Sequence, residues 1–489
     1  MDKEAKKART FPRLAFVVCF GVSLALAATR VALLELSHDP FTNASSQHAT
    51  EVEPDSFASG STIVSAFQAG RFFSGGASDI GFATSTNGGT TWTHGFLPGI
   101  TKIQKSTNPY DRISDPAVAF DAAHGVWLIS SLPLVDSGAP ITAVLVSSST
   151  DGLHWSNPVS VTPSVPSSDK DWIVCDNSSS SPFFGNCYVE FDRPDLGDEI
   201  QMSASVDGGQ TWEPALSTAD RAVGIGGQPL VQPDGTVIVP IESASQSAIV
   251  AFSSSDGGAS WSKTVEVSSI IDHLDAGNIR SSPLPSAAID AGGTVYVVWE
   301  DCRFRAGCAA NDIVLSASTD GVHWSATARI PIDPVTSTVD HFIPGLAADP
   351  ATSGTSAHLA LTYYYYPQTN CSQSTCQLDA GFISSANGGA TWNAVIQLAG
   401  SMSLNWLPDT DLGLMVGDYI STSYSASTAH GIFAVAQAKV GSTFKEFMAT
   451  TKLGLGVAPE GPQFTSSGRE PVPHAHSDHG PRTSQALIR

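Results

Sequence analysis

Positive charge is scarce in this chain. Lysine and arginine number 24 against 46 aspartates and glutamates, and charged residues make up only 14% of the 489 positions. The net charge of −22 argues against nucleic acid and an anionic membrane surface as principal partners, because both repel a polyanion. Several motifs are missing too. No Cys-x-x-Cys occurs, which removes the usual zinc frameworks. No nucleophile elbow supports Ser-His-Asp catalysis, and Gly224-Ile225-Gly226-Gly227 is not placed to cradle a phosphate. No loop has calcium-ligand spacing, though the acidity leaves room for calcium; no other metal and no cofactor is expected. No long amphipathic helix stands out.

Apolar runs of spanning length are also absent from the start of the chain. Leu14 to Ala28 is apolar but shorter than the ~20 residues a membrane helix prefers. It follows Lys3, Lys6, Lys7, Arg9 and Arg13 and ends near Ala25-Leu26-Ala27, the layout of a cleaved export signal. Residues 1–28 are therefore expected to be a signal peptide, with an uncleaved anchor as the alternative and the only route to a membrane. The remaining cysteines fall in three close pairs, Cys175 with Cys187, Cys302 with Cys308, and Cys371 with Cys376. In an exported chain such pairs predict local disulfides that pin loops. A secreted or extracytoplasmic location follows.

What is present is repetition. Ser/Thr-x-Asp/Asn-x-Gly-x-x-Trp stands complete in Ser85 to Trp92 and again ending at Trp212, Trp261 and Trp392. A version one residue shorter runs from Ser149 to Trp155 and from Ser318 to Trp324. The copies are spaced by roughly 50 to 70 residues, one supersecondary unit of a repeat architecture. Asp or Asn bonds its own backbone in a tight turn, Gly supplies positive φ, and Trp buries a large apolar body. These aspartates are turn formers rather than catalytic acids. A second repeat pairs a strand ending near Asp with one rich in Val, Tyr and Trp, as in Asp115 to Asp121 followed by Gly125 to Ile129. Seven such pairs are present, six followed by the Trp turn; the last pair is read as Val416 to Ser421 with Ile432 to Ala436.

The turn pattern resembles the Asp-box (BNR repeat) of sialidases and other Asp-box β-propellers, over about residues 50 to 450. That resemblance implies an all-β propeller of four-stranded antiparallel blades. The strand pairs favour seven blades, with the six of sialidases as the alternative. The expected division is a flexible lead at 29–50 (or a strand closing the ring), a propeller at 51–455, and a disordered tail at 456–489 carrying His474, His476 and His479.

Antiparallel order puts the first-strand starts and second-strand ends on the face opposite the Trp turns. Those positions hold Arg71, Arg112, Asp115, Asp171, Glu190, Arg280, Glu300, Arg303, Arg305, His341 and Tyr419, among others. Arginine forks suit a carboxylate, sulfate or phosphate, and carboxylates beside them suit acid–base work on a glycosidic bond. Sialidases use three arginines, a Tyr nucleophile helped by Glu, and an Asp acid–base. Their Phe/Tyr-Arg-Ile-Pro motif is replaced here by Gly70-Arg71-Phe72-Phe73, so roles are assigned by position alone. Asp115 is expected as acid–base, Tyr419 as nucleophile with Glu190 or Glu300 beside it, and Arg71, Arg280 and Arg303 as the anion clamp with Asp171 and His341 at the substrate. Tyr363 to Tyr366 and Trp406 are candidates to stack on sugar rings. The expected activity is that of an exported, monomeric, sialidase-like glycoside hydrolase acting on an acidic glycan or glycoconjugate. A non-catalytic glycan- or protein-binding propeller, and a polysaccharide lyase using Tyr and His341, are the alternatives.

Overall fold

The computed structural model describes residues 31–136, 141–368, 370–457 and 464–465. The expected export signal and most of the expected tail, with its three histidines, lie outside the described residues. Among the described residues there is no α-helix, only five 3-10 turns of three residues. No helix there is long and apolar enough to cross a membrane.

The described residues form seven four-stranded antiparallel sets, called here sheets 1 to 7. Their first strands are Glu51–Ser59, Arg112–Asp121, Asp169–Cys175, Leu230–Val231, Ser286–Ile289, His341–Ala348 and Ser421–Ser425. In sheet 4 a further short strand, Gly224–Ile225, precedes the first strand and pairs the same neighbour. Sheets 1 and 2 are joined through the single pair Ala77 and Ile113. In sheets 1 to 6 the strands follow chain order, and the repeat turn links the third strand to the fourth. Sheet 7 differs. Its third strand, Glu446–Thr451, pairs with Leu33–Glu35 from the other end of the chain. The stretch expected as a lead at 29–50 thus contributes an outer strand. The first strand of sheet 7 is Ser421–Ser425, C-terminal to the Val416–Ser421 expected from sequence. Phe464–Thr465, in the expected tail, pairs with Thr391–Trp392.

Apolar and small residues run almost continuously along the inner strands, and consecutive positions are buried, so each sheet packs both faces against its neighbours. Separate cores fill successive gaps: Ile80 and Leu145 between sheets 1 and 2, Leu128 and Val189 between 2 and 3, Tyr188 and Val239 between 3 and 4. The largest joins sheets 6 and 7 and includes Phe67 of sheet 1. The first strands touch in chain order, and that of sheet 7 touches that of sheet 1. Side chains of one first strand satisfy main-chain N–H groups of the next. Val118 N donates to Asp55 at 2.7 Å, Ala287 N to Gln228 at 2.8 Å, Leu346 N to Ser286 at 3.0 Å, and Ser56 N to Ser421 at 3.0 Å. These donors would otherwise be buried without partners.

All six repeat turns share a serine-centred pair of hydrogen bonds, which explains the spacing of their polar residues, and in four of them the Trp indole also donates to a Gly carbonyl. In the third copy Ser205 Oγ donates to Asp207 Oδ1 at 2.9 Å and accepts from Gly209 N at 3.0 Å. Asp207 Oδ1 also accepts from Thr211 N at 2.9 Å, and Trp212 Nε1 donates to Gly209 O at 3.2 Å. Gly208 and Gly209 have φ of 74° and 78°, values that favour glycine. Replacing Ser205 with Ala orphans the buried Gly209 N–H and is expected to cost about 1–2 kcal/mol. Urea denaturation measures it, and an unchanged midpoint would show that the serine is dispensable.

The three disulfides form as expected, Cys175–Cys187, Cys302–Cys308 and Cys371–Cys376. They suit an oxidising, extracellular setting.

Candidate functional site

Four of the first strands share a β-bulge near their start. In sheet 1 the pairing jumps from Val52 and Gln68 to Asp55 and Ala66, so Glu53 and Pro54 oppose one residue. The same two-against-one step occurs at Asp115-Pro116, Lys170-Asp171 and Ile343-Pro344. Glu53, Asp115, Lys170 and Ile343 have φ of 54°, 45°, 42° and 49°, a left-handed conformation that is strained for side-chain-bearing residues. Proline fits the following position because a bulge leaves its N–H without a ladder partner. The bulge re-aims the side chain out of the ladder, and three of the four meet.

Lys170 Nζ is the meeting point. It lies 3.1 Å from Glu53 Oε1, 3.2 Å from Asp115 Oδ1 and 2.5 Å from Asp418 Oδ2. Arg280, from the segment between sheets 4 and 5, grips Asp418 with Nε at 2.6 Å and Nη2 at 2.5 Å. Arg71 acts electrostatically on the same acids and donates to Gln68 at 3.0 Å and Gly76 O at 3.1 Å. Gln68 in turn donates to Glu53. Tyr419 stands beside Lys170, its ring centroid 5.5 Å from Nζ, and donates to Pro116 O at 3.2 Å. All these residues are buried, none more than 7% exposed. Three cations (Arg71, Lys170, Arg280) balance three carboxylates (Glu53, Asp115, Asp418).

The environment separates the proton affinities. Burial raises the Asp418 carboxyl, but Arg280 and Lys170 outweigh it and hold the group below the usual range. Burial pushes Glu53 up despite Lys170. Burial, then Glu53 and Asp115, raise the Tyr419 phenol well above its ordinary value. Carboxyl pairs pushed apart in this way suit complementary proton-donor and anion roles.

Two further acids of this face, Asp171 and Glu190, flank the group. Their pKa values are raised by burial first, and each is raised further by other carboxylates, Glu190 by Asp171 and Asp169. A Cβ on Gly227 would meet the Glu190 carboxyl within 2.9 Å, so the glycine makes room for it. Glu300 is placed elsewhere: it accepts from Ile343 N at 3.3 Å and is raised by burial and by Asp275. Arg303 does not join the expected clamp. Its guanidinium binds Asp301 at 2.6 Å, Ser268 at 3.1 Å and Ser269 O. Arg305 pairs with Asp312 and Asp333, and Arg112 with Asp136. His341 is buried between Tyr363 and Tyr365, 3.9 Å from Asp333. Tyr363, Tyr364 and Tyr366 are at most 2% exposed, so these three are packing residues and offer no face to a sugar.

Space at the group is small. A cavity of about 20 Å³ lies between Lys170, Gly227, Leu284 and Tyr419, room for one water. A larger one of about 330 Å³ is lined by the first strands of all seven sheets. Asp55 faces it, its pKa pushed up to about 7 by burial. The segment from Leu404 to Val416 straps the cluster's supports together. Leu414 O accepts from Arg280 N at 2.7 Å, Val416 O from Glu53 N at 3.5 Å, and Asp411 N donates to Phe73 O at 3.1 Å.

Position in the chain brought Asp115, Arg71, Arg280 and Tyr419 together, but the central Lys170, Glu53 and Asp418 had no assigned role. For Glu53 a signal exists, an X-Pro step that recurs at Glu53-Pro54, Asp115-Pro116, Gln228-Pro229, Leu284-Pro285 and Ile343-Pro344, whereas Lys170 and Asp418 are followed by Asp171 and Tyr419 and carry no such mark.

No family model and no curated protein matches the chain. Solved structures do. An ulvan lyase of polysaccharide lyase family 25, bound to a glucuronate–sulfated rhamnose unit, aligns over 85% of this chain and 95% of its own at 11% identity and a TM-score of 0.50. A protein of unknown function from Dyadobacter fermentans aligns over 73% and 99% at 14% identity and 0.45. A sialidase from Streptococcus pneumoniae aligns over 87% and 71% at 12% identity and 0.42. At these identities the likeness concerns the fold alone, which is nearly all-β, in antiparallel four-stranded sheets.

Proposed function

We propose that this chain is an exported, sialidase-like glycoside hydrolase acting on an anionic glycan, built as a seven-bladed Asp-box propeller with its centre on the axis. One observation carries the reading: Tyr419, Asp115, Glu53, Asp418, Arg280 and Arg71 converge around Lys170, the group as a whole coming from sheets 1, 2 and 3 and two connecting segments. Asp115 is the acid–base group and Tyr419 the nucleophile. A neutral phenol is a poor nucleophile and needs a base, for which Glu53 and Asp115, whose charges act on it, are the candidates once the hydroxyl leaves Pro116 O. Arg280 holds a carboxylate already, that of Asp418. A substrate carboxylate would exchange for it on the same guanidinium, after the strap at 404–416 moves aside.

The test is turnover of aryl glycosides, including a sialoside and a uronide, by the purified chain. Tyr419→Phe removes one hydroxyl and is expected to lower kcat/KM by about 10³-fold or more with the circular dichroism unchanged. Absence of turnover across the panel, or full activity in Tyr419→Phe, sinks the reading. An unsaturated product absorbing in the near ultraviolet would mark a lyase instead.

A second reading is a propeller that binds glycans without turning them over. It is favoured by the closed state of the centre: every cation there is spent on an internal partner, and the adjoining space holds one water. Saturable glycan binding, unaffected by Tyr419→Phe and without product, would establish it.

A further inference from the structure

We propose that His273, Asp275 and Asp340 form a binding site for a divalent transition-metal ion of the zinc class, clamping the segment that carries Arg280 to the start of sheet 6. The three residues each offer one ligand atom, and these atoms lie within 4.8 Å of one another. Asp275 is 5% exposed, and its Oδ1 accepts no hydrogen bond. The neighbouring Asn311 side-chain amide donates to His273 O at 2.7 Å, and also bears on the Asp275 carboxyl without satisfying Oδ1. An unpartnered carboxylate oxygen so deeply buried is costly unless a cation or proton meets it.

The surrounding shell is prepared for an ion. Ser281 Oγ holds the other oxygen of Asp275 at 2.6 Å, and Asn311 N holds Asp340 Oδ1 at 2.8 Å. Such outer contacts orient metal-ligating carboxylates. His273 Nδ1 stands 3.2 Å from Asp340 Oδ1, and its side chain is 33% exposed, which leaves a path from solvent. Negative charge is in excess, since Glu300 and Asp272 lie close by. The donor set selects the metal. Calcium and magnesium take oxygen ligands, whereas one imidazole with two carboxylates and an open position suits zinc and its neighbours. A second trio, Asp312, Asp333 and His341, is equally compact. Its carboxylates already carry Arg305 and Arg329, so no charge is left there for an ion.

The competing occupant is a proton on His273, paired with Asp340. Stripping the full chain with a chelator and titrating Zn²⁺ against an indicator dye separates the two. One ion per chain is expected, with Co²⁺ giving a visible spectrum of mixed nitrogen and oxygen ligation. His273→Gln, on a partly exposed side chain, and Asp275→Asn should each weaken binding by at least about a hundredfold, the upper end for loss of even an outer-shell partner. Asp275→Asn should also abolish the rise in melting temperature that zinc gives the native chain. Replacing His474, His476 and His479 together by Ala should leave the ion bound. The inference fails if the native chain binds zinc no more tightly than His273→Gln, or if the tail variant loses the ion.

Discussion

Lys170→Met is expected to destabilise the fold by about 3–5 kcal/mol, the usual cost of removing one partner from a buried ion pair. The ammonium is 4% exposed and lies within 3.2 Å of three carboxylates. Without it, two arginines face three acids in a site closed to solvent. The surplus acid must stay charged at high cost or take up a proton. Protonation comes easily at low pH, so the loss should be smaller near pH 5 than near pH 8, because carboxyl pKa values raised in the folded state withdraw stability as pH rises through them. Restoring balance should restore stability: Lys170→Met with Asp115→Asn leaves Arg71 and Arg280 against Glu53 and Asp418. The double variant is expected to recover most of the deficit. Urea denaturation at both pH values decides. A change under about 1 kcal/mol in the single variant, the scale of an exposed pair, would mean that water reaches the centre.

A chain that begins at residue 51 should fail to fold stably. It loses Leu33–Glu35, which pairs Thr451, Thr450 and Ala449, and the bonds from Leu36 N to Met448 O and from Met448 N to Ser37. It also lacks Leu36, which is 1% exposed, and uncovers the Phe447-Met448-Ala449 stretch packed beside it. One buried leucine at about 2 kcal/mol and several main-chain bonds at about 1 each sum to the order of 5 kcal/mol, comparable with the whole stability of many domains. The bared edge is in addition a template for aggregation. Supplying residues 31–50 as a separate peptide should return part of the soluble, cooperatively melting protein. A chain from residue 51 that melts like the full-length one would show that sheet 7 holds with three strands.

What sequence could show and what it could not divide along physical lines. The Ser205-to-Trp212 turn closes on itself, so its residues announce it. The cysteine pairs are equally local. Leu33–Glu35 was harder: three residues carry almost no period, and their partner is at the far end of the chain. The start of sheet 7 was misplaced because Asp418 and Tyr419, read as part of a strand, instead turn toward Lys170 and Pro116. Within the site, Arg280 and Arg303 are both expected in the clamp. One meets Asp418 across the molecule and the other meets Asp301 two positions away. The acid two positions before Arg303 marks it as locally paired, but what gathers Glu53, Asp115 and Lys170 at the site are the bulges, and alternation cannot reveal a bulge.

The contacts between successive first strands have one more effect. Asp55, Gln228, Ser286 and Ser421 each cap an amide on the next sheet, the last of them returning to Ser56. Three residue types, Asp, Gln and Ser, answer these four donors, so the units that carry them are not interchangeable. Excising or duplicating one would leave a mismatched seam on both sides of the edit. Copies of one module have thereby become specific to their neighbours at the contacts that join them.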